Sequence, residues 1–498
     1  MTEAGPAAGS DAVAPDLLDT SDAGPAALRG GALRSAGYAA GLLLSLASAP
    51  LLIRHLGQAD FGKYVTVASV VTIVAGFTEA GLATIALRDH STLRGAARDR
   101  ALADAIGLRI TLSAVAILLA AAFSTVAGYG SLLVAGTVLA GVGTLLQSIQ
   151  WLLTVPLQGR LRFGLLTIID LARQVLTVAM LVLLVVVDAS LLAFFAVPIA
   201  AGVVVVAVTV LVVRGLAPLR PRFDAGAWWP LVRDTFPFAI AIALNAAYLR
   251  VAVIVMSLLA TEVQTGYFST SFRVVEVLIG VPALVIGAAF PILSRSVVDD
   301  PGRFNQATTR VFELAVIVGA VLSVCIGLGA GFAVEVLGGS QAEPAADVLR
   351  IQSMVMVVTF VSVACSYPLL SLRRNRDLMV ANGVAFSMNL LLCLVLVQLF
   401  DAQGAAVAAV AAETVLATTL VLMLRRAAPD LRLPISILPV CLLASAVAVG
   451  GATLLGGPDV LSVAVGGTLF VAVISLLGRF PPEVLHAVRA SRLAKPVS

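Results

Sequence analysis

GLLTIIDLARQVLTVAMLVLLVVV (164–187) and, three residues later, LLAFFAVPIAAGVVVVAVTVLVV (191–213) are the stretches that decide the fold class. Each is long enough to cross the hydrocarbon core of a bilayer as a helix, which takes about 20 apolar residues. The strands of a membrane β-barrel alternate apolar with polar residues, whereas the run LVLLVVV (181–187) is continuous. The two stretches therefore predict transmembrane α-helices joined by a very short turn.

The composition of the whole chain indicates that the bilayer is its solvent. The protein has 498 residues, of which 60% are hydrophobic and 12% are charged, and its mean hydropathy is +1.05. An average soluble domain has roughly 25% charged residues, so this chain could not cover a soluble surface. The net charge is only +4, and the arginines are distributed as topology signals, so we expect no nucleic-acid partner.

Apolar segments follow one another at short intervals along the chain. They predict an all-α integral membrane protein with about 14 transmembrane helices, which we number as spans 1 to 14. The predicted spans lie near 33–53, 62–87, 105–127, 131–157, 164–187, 191–213, 235–258, 266–291, 312–337, 347–370, 378–400, 404–424, 435–455 and 460–478.

A weak internal repeat divides the spans into two groups. Gly62-Lys63-Tyr64 and Thr265-Gly266-Tyr267 both stand at the start of the second span of a pair. This predicts two pseudo-symmetric six-helix lobes, and duplicated bundles with a site between them are typical of transporters. The expected parts are a disordered cytoplasmic tail (1–30), an N-lobe (31–213), an interfacial linker (214–234), a C-lobe (235–424), an extra helix pair (435–478) and a basic cytoplasmic tail (479–498).

The basic residues predict the orientation, because cytoplasmic connections retain Lys and Arg. The odd-numbered connections are very short and contain only Arg54, Lys63 and Arg350. The even-numbered connections and both termini are basic, which predicts that both termini are cytoplasmic. Because the outer face has almost no loops, a glycosyltransferase or polymerase working there would have nowhere to hold its catalytic residues. We therefore expect that the protein is not an enzyme.

No motif indicates a cofactor or a nucleotide. The cysteines Cys325, Cys365, Cys393 and Cys441 all lie inside apolar segments without metal-ligand spacing. The segment 57–64 nearly matches a phosphate-binding loop, but Tyr64 replaces the hydroxyl residue that would hold Mg²⁺ and no strand precedes it. We expect no cofactor, no metal and no ATP.

Ionisable side chains inside the spans are the sharpest functional indication, because each needs a partner or water. Asp170 with Arg173, and Arg273 with Glu276, are spaced i,i+3 and share a helix face. We interpret Asp170 and Arg173 as a local ion pair. Glu79 and Glu413 complete the acidic members of this set, in spans 2 and 12.

Arg250 differs from the others because no acidic residue lies within one helical turn of it. It lies about 12 Å below the outer end of span 7, and Arg273 lies about 10 Å below the same end of span 8. Two guanidinium groups at one height could grip a diphosphate, each in a bidentate manner. The structural alternative is that Arg250 pairs with Glu276 or Glu79 across helices.

Two segments resemble the polysaccharide flippases of the Wzx type, in the MATE/MOP transporter superfamily. LLIRHLGQADFGKYVTVASVVTIVAGFTEAGLATIALR (51–88) is similar to the first hairpin of that family. TGYFSTSFRVVEVLIGVPALVIGAAFPILSR (265–295) is similar to its eighth helix, which ends in Phe-Pro-x-Leu-Ser. Length, spacing and helix number agree with the family over essentially the whole membrane region.

The resemblance implies a MOP flippase fold in a bacterial inner membrane, with a central cavity lined by spans 1, 2, 7 and 8 that opens alternately to each side. It implies a lipid-linked oligosaccharide of the undecaprenyl-diphosphate type as substrate. A polysaccharide polymerase and glycosyltransferases are the protein partners that it suggests. The candidate substrate-binding residues on these helices are Arg34, Arg54, Glu79, Arg250, Arg273 and Glu276.

Two alternatives to the flippase remain open. The first is a cation-coupled exporter of small drugs, in which Glu79 or Glu276 would carry the exchanged cation. An anionic, aromatic-lined cavity would favour it, whereas multidrug members of the superfamily usually have twelve helices. The second alternative, a membrane enzyme of polysaccharide assembly, would need the large outer loop that this sequence lacks.

Overall fold

The computed structural model describes residues 23–79, 81–216, 220–287 and 289–479. Within these ranges almost all of the chain is helical. The helices are α1 (Ala23–Glu79), α2 (Leu82–Thr92), α3 (Gly95–Val126), α4 (Ser131–Leu153), α5 (Val155–Gly159), α6 (Phe163–Val186), α7 (Leu191–Val213), α8 (Ala225–Leu259), α9 (Glu262–Gly287), α10 (Phe290–Asp299), α11 (Pro301–Leu328), α12 (Ala330–Gly338), α13 (Ala345–Ser371), α14 (Asn375–Ala427), α15 (Ile437–Leu455) and α16 (Asp459–Leu476).

Eleven helices in the described ranges are long and apolar enough to cross a membrane. Two of them, Ala39–Thr92 and Asn375–Ala427, have more than 50 residues, far more than one crossing needs. The first turns back at Gly57 (φ 70°) and the second at Asp401 (φ 47°), and both residues have non-helical dihedral angles. Each therefore holds two spans, and the shorter apolar helix Ala243–Leu259 adds one more. The described ranges thus contain the predicted fourteen spans.

The spans form two lobes and an extra helix pair, as predicted. Helices α1 to α7 provide spans 1 to 6, and α8 to α14 provide spans 7 to 12. The extra pair, α15 and α16, packs against α11 of the C-lobe. Ile437 and Phe470 from this pair join Phe312 and Phe360 in one buried apolar cluster. The two lobes meet where α1 contacts α8 and α9.

The two ends of the bundle differ in their connections. One end of the bundle has the connections 93–94, 160–162, 214–224 and 372–374, each of which contains arginine. We call it the "basic end". The opposite end, here the "short-turn end", has the connections 57, 127–130, 187–190 and 401. Glycine is favoured at position 57, where α1 is interrupted, because a positive φ carries no steric penalty for glycine.

Besides span 4, which breaks at Thr154 between α4 and α5, three spans are broken where the sequence predicts continuous helices. Span 2 breaks before α2, where Gly81 is left-handed with φ 71°. Span 8 breaks between α9 and α10, and span 9 breaks at Gly329. Glycine favours the first break, and the second lies beside Pro291, whose backbone has no N–H to continue the helix. Hydropathy is insensitive to such breaks, because the flanking residues are apolar on both sides.

Two helices begin earlier than expected. Helix α1 starts at Ala23, inside the segment predicted as a disordered tail, and residues 1–22 and 480–498 lie outside the described ranges. Helix α8 starts at Ala225, inside the predicted linker. The Asp224 carboxylate accepts hydrogen bonds of 3.1 and 3.4 Å from the backbone N–H groups of Gly226 and Ala227. This N-cap satisfies two of the free donors at a helix start.

Candidate substrate-binding site between the lobes

Glu276 holds two arginines at the centre of the protein. Its Oε1 accepts a hydrogen bond from Arg250, and its Oε2 accepts one of 2.8 Å from Nη1 of Arg273. The Arg250, Arg273 and Glu276 side chains are 19%, 29% and 27% exposed, respectively. Because a charge inside a membrane needs a partner, one carboxylate stabilises both guanidinium groups and fixes them at the same height.

Arg273 also connects the cluster to the other lobe. Its Nη2 donates a hydrogen bond of 2.6 Å to the Ser45 hydroxyl on span 1. Arg250 lies over the ring of Phe272, with 5.7 Å between its guanidinium carbon and the ring centroid. We call Arg250, Arg273, Glu276 and Ser45 the interlobe cluster. It is a junction at which spans 7 and 8 meet span 1.

A cavity adjoins the interlobe cluster in each lobe. The N-lobe cavity, of about 390 Å³, is lined by spans 1, 4 and 5 and includes Ser45 and Arg34. The C-lobe cavity, of about 330 Å³, includes Phe272, Tyr248 and Glu413. The cluster therefore lies between two spaces large enough for small ligands.

The Tyr248–Glu413 contact is a buried polar feature of the C-lobe cavity. The Tyr248 hydroxyl donates to a Glu413 carboxylate oxygen. Asn389 Nδ2 donates to the backbone carbonyl of Tyr248 at 3.4 Å. The sequence identifies Glu413 as an ionisable residue within a span but gives no way to find Tyr248, which is an ordinary aromatic residue of span 7.

The lobes are packed together at the short-turn end. A Cβ atom on Gly266 would lie 2.0 Å from the Gln58 carbonyl oxygen, and one on Gly62 would lie 2.6 Å from the Glu262 carbonyl oxygen. Lys63 forms an ion pair of 2.9 Å with Glu262. Only glycine permits such close backbone approach, so no passage exists between spans 2 and 8 here.

Arg54 belongs to this closed end and not to the interlobe cluster. Its Nη2 donates hydrogen bonds of 2.9 and 3.0 Å to the carbonyl oxygens of Glu335 and Val336, near the end of α12. A cation near the carbonyl end of a helix is stabilised by the helix dipole. Arg54 thereby joins span 1 to span 9.

The predicted site residues are thus distributed over three places. Arg250, Arg273 and Glu276 come together, and the Arg250–Glu276 contact is the structural alternative that the sequence left open. Arg34 lies in the N-lobe cavity and Arg54 lies at the short-turn end. The Glu79 side chain lies outside the described residues. Whether any of the six binds substrate remains a prediction.

The sequence predicts a local ion pair between Asp170 and Arg173, and this prediction is wrong. The described part of the structure shows no such pair. Both side chains line the N-lobe cavity, and they form no ion pair within 4.0 Å of each other. The spacing does place them on one face of α6, but that face borders an open space. Because a cavity can hydrate charges, the penalty that would force two membrane-buried groups together is relieved.

Arg109 is a buried charge to which the sequence analysis assigned no role. It is 4% exposed and donates hydrogen bonds of 2.6 Å each to the carbonyl oxygen of Thr78 and the hydroxyl of Ser148. Thr78 lies one residue before the end of α1, so Arg109 supports the carbonyl end of the helix where span 2 breaks. Because Arg109 lies only one turn inside span 3, its sequence position gave no indication of this role.

About fourteen spans in two lobes, with charged groups meeting where the lobes pack together, define the fold. Solved structures share this fold. The chain is similar to "Lipid II flippase MurJ, inward closed conformation", with a TM-score of 0.76, 11% identity, and coverage of 90% of this chain and 99% of that one. It is also similar to a multidrug resistance MATE family transporter of the MOP superfamily in an inward-facing conformation (TM-score 0.65, 11% identity, coverage 78% and 95%). An outward-facing MATE structure gives a TM-score of 0.55, with 14% identity and coverage of 82% and 96%.

The family follows from the sequence comparison. A family profile described as "Polysaccharide biosynthesis protein" matches residues 51–347, which is more than half of the chain. The chain therefore belongs to this family, and it has the MOP-superfamily fold. A comparison with curated protein sequences finds no match. The resemblance to the MATE/MOP superfamily that the first hairpin and span 8 indicated is confirmed at the level of the fold.

Proposed function

We propose that this protein is a flippase for lipid-linked oligosaccharides of the undecaprenyl-diphosphate type and serves surface polysaccharide assembly. The observation that carries the proposal is the shared Glu276, which holds Arg250 and Arg273 side by side at the lobe interface. Because both guanidinium groups bind the same carboxylate, they lie close enough together to bind the two phosphoryl groups of one diphosphate. Each can grip a phosphate with two parallel hydrogen bonds.

Glu276 has a defined part in this mechanism. Without substrate it neutralises the two arginines, which would otherwise be costly in the membrane. The diphosphate replaces the carboxylate as the partner of the guanidinium groups when it enters. Since the site exchanges one anion for another, substrate can bind and leave without exposing unpaired positive charge to lipid. The protein moves its substrate and makes or breaks no covalent bond.

The basic residues indicate which side of the membrane each end of the bundle faces. We infer that the basic end and both termini face the cytoplasm of a bacterial inner membrane. The short-turn end then faces outward, and its close packing at Gly62 and Gly266 describes a state that is closed to the outside. Outward opening must separate spans 2 and 8, so that substrate taken from the cytoplasmic leaflet is released on the other side. Polysaccharide polymerase and glycosyltransferases are the protein partners that this role implies.

The exporter alternative is weakened by the same contacts. An exporter of organic cations would need a free acidic group facing the substrate, whereas Glu276 is occupied by two arginines. The group around it has one negative and two positive charges, which suits an anion. A multidrug exporter would therefore have to bind its cation away from this cluster, at another acidic residue such as Asp170 in the N-lobe cavity.

The test is transport by the purified protein in sealed proteoliposomes. The probe is radiolabelled glucosyl citronellyl diphosphate, a water-soluble analogue of a lipid-linked sugar. We expect uptake that depends on the protein and that competes with unlabelled citronellyl diphosphate. Uptake no faster than in protein-free vesicles would refute the flippase, and protein-dependent uptake of ethidium in its place would establish the exporter.

A further inference from the structure

The N-lobe cavity has a lining that the binding of a diphosphate does not explain. It lies between span 1 and span 5, with one aromatic side chain from span 4. Asp170 lies about 10 Å along α6 from its start at Phe163, which is well inside the membrane. The polar and aromatic side chains that line it include Arg34, Ser45, Trp151, Asp170, Arg173 and Gln174.

Two of these groups have unused hydrogen-bonding capacity. Among the residues that the structure describes, the Asp170 carboxylate forms neither a hydrogen bond nor an ion pair, although Arg173 is close enough for its charge to be felt. Nε of Arg173 is buried and has no hydrogen-bond partner within that part of the chain. A buried polar group is normally paired, so Nε of Arg173 indicates a ligand with an acceptor, and the Asp170 carboxylate, which borders the same cavity, can accept a hydrogen bond from that ligand.

The mixture of charges narrows the class of ligand. Asp170 would repel a phosphate, and Arg34 and Arg173 would repel a cation. An apolar molecule would leave the carboxylate, the guanidinium groups and the Gln174 amide unsatisfied. A ring with several hydroxyl groups fits all of them, because each hydroxyl donates to a carboxylate or amide oxygen and accepts from a guanidinium. Trp151, 37% exposed, adds the flat apolar face against which the C–H face of a sugar ring packs.

The cavity is also directly connected to the proposed diphosphate site. Ser45 lines the cavity, and its hydroxyl accepts the hydrogen bond of 2.6 Å from Arg273. A ligand with its anionic group at Arg273 would therefore place the next unit of the molecule in this space. The volume, about 390 Å³, lies within the range of pockets that take small ligands.

We propose that the N-lobe cavity binds the hexopyranose ring that is attached to the diphosphate, with Asp170 and Gln174 reading its hydroxyl groups. This proposal rests on the proposed flippase function and adds to it a site for substrate selection. The arginines of the interlobe cluster hold the group that all such lipids share. The N-lobe cavity contacts the part that differs from one polysaccharide to another.

The test is a binding measurement by titration calorimetry on the full-length protein in lipid nanodiscs. The probes are citronellyl diphosphate and its glucosyl, galactosyl and N-acetylglucosaminyl derivatives. We expect at least one glycosylated probe to bind at least 10-fold more tightly than citronellyl diphosphate. Asp170→Asn and Gln174→Ala should reduce this preference at least 5-fold while leaving the affinity for citronellyl diphosphate unchanged. That unchanged affinity also shows that each variant is folded.

Gln352→Ala is the matched control, because it removes the same amide from the cavity of the other lobe. It should leave the preference for glycosylated probes unchanged. Equal affinity for all four probes, or a preference that survives both Asp170→Asn and Gln174→Ala, would overturn the sugar site and leave the diphosphate site standing. If none of the four probes binds, the proposed flippase function fails and the sugar site fails with it.

Discussion

The Thr270 hydroxyl donates a hydrogen bond of 2.9 Å to the side-chain oxygen of Gln58, and this bond joins span 8 of the C-lobe to the start of span 2. Both side chains are buried, at 0% and 7% exposure. One turn away, a Cβ atom on Gly62 would lie only 2.9 Å from the backbone nitrogen of Gly266. If the lobes alternate between two openings, this bond exists in one state and must be absent in the other.

The first prediction fixes this contact covalently. In Gln58→Cys/Thr270→Cys, oxidation should join the two lobes and abolish transport, because the short-turn end can no longer open. A reducing agent should restore transport. Uptake of glucosyl citronellyl diphosphate into proteoliposomes measures both steps. The single variant Gln58→Cys under the same oxidant is the control, and full transport by a double variant shown to be cross-linked would contradict the gating role of this end.

The second prediction prevents the same end from closing. A side chain at Gly266 would overlap the Gln58 backbone, so Gly266→Val should reduce transport at least 10-fold with normal membrane levels. The matched control is Gly280→Ala in the same helix, because no described atom lies within 4 Å of the added Cβ. Equal transport by the two variants would show that close packing of spans 2 and 8 is dispensable.

The sequence predicts the spans better than it predicts their contacts. Apolar length identifies a membrane crossing regardless of its neighbours, which is why the fourteen spans agree. The breaks at Gly81 and Gly329 escape this measure because a single backbone conformation leaves hydropathy unchanged. The i,i+3 spacing places Arg273 and Glu276 on one helix face, where they form an ion pair, yet the ion pair predicted from the same spacing for Asp170 and Arg173 does not form. Which face of a helix borders a cavity depends on packing between helices, and no local pattern contains that information.

The third prediction tests the orientation. Arg374 and Gln403 are both exposed and lie at opposite ends of the bundle. In intact cells, Gln403→Cys should react with a membrane-impermeant thiol reagent, and Arg374→Cys should react only after the cells are opened. The parent protein gives the background, since three of its four cysteines are buried and Cys325 is partly buried. The reverse pattern would place the basic end outside.

The last prediction separates a substrate-binding Arg250 from a purely structural one. A hydrogen bond to a charged group contributes about 1.5–3 kcal/mol, so Arg250→Ala should weaken the binding of citronellyl diphosphate roughly 10- to 100-fold and abolish uptake. Arg250→Lys should restore only part of the affinity, because an ammonium group cannot make the bidentate contact. Calorimetry and uptake into proteoliposomes measure the two effects.

The double variant Arg250→Gln/Glu276→Gln decides between the two roles. If the Arg250–Glu276 contact only neutralises charge inside the protein, removing both charges should restore folding and transport together. If Arg250 binds the diphosphate, the double variant should reach the membrane at normal levels and remain inactive, because one guanidinium is still missing. Arg273 keeps its bond to Ser45 in this variant but loses the charge of Glu276, so the single variant Glu276→Gln is measured beside it to give the effect of that loss alone. Normal transport by a well-expressed Arg250→Ala protein would exclude the diphosphate role.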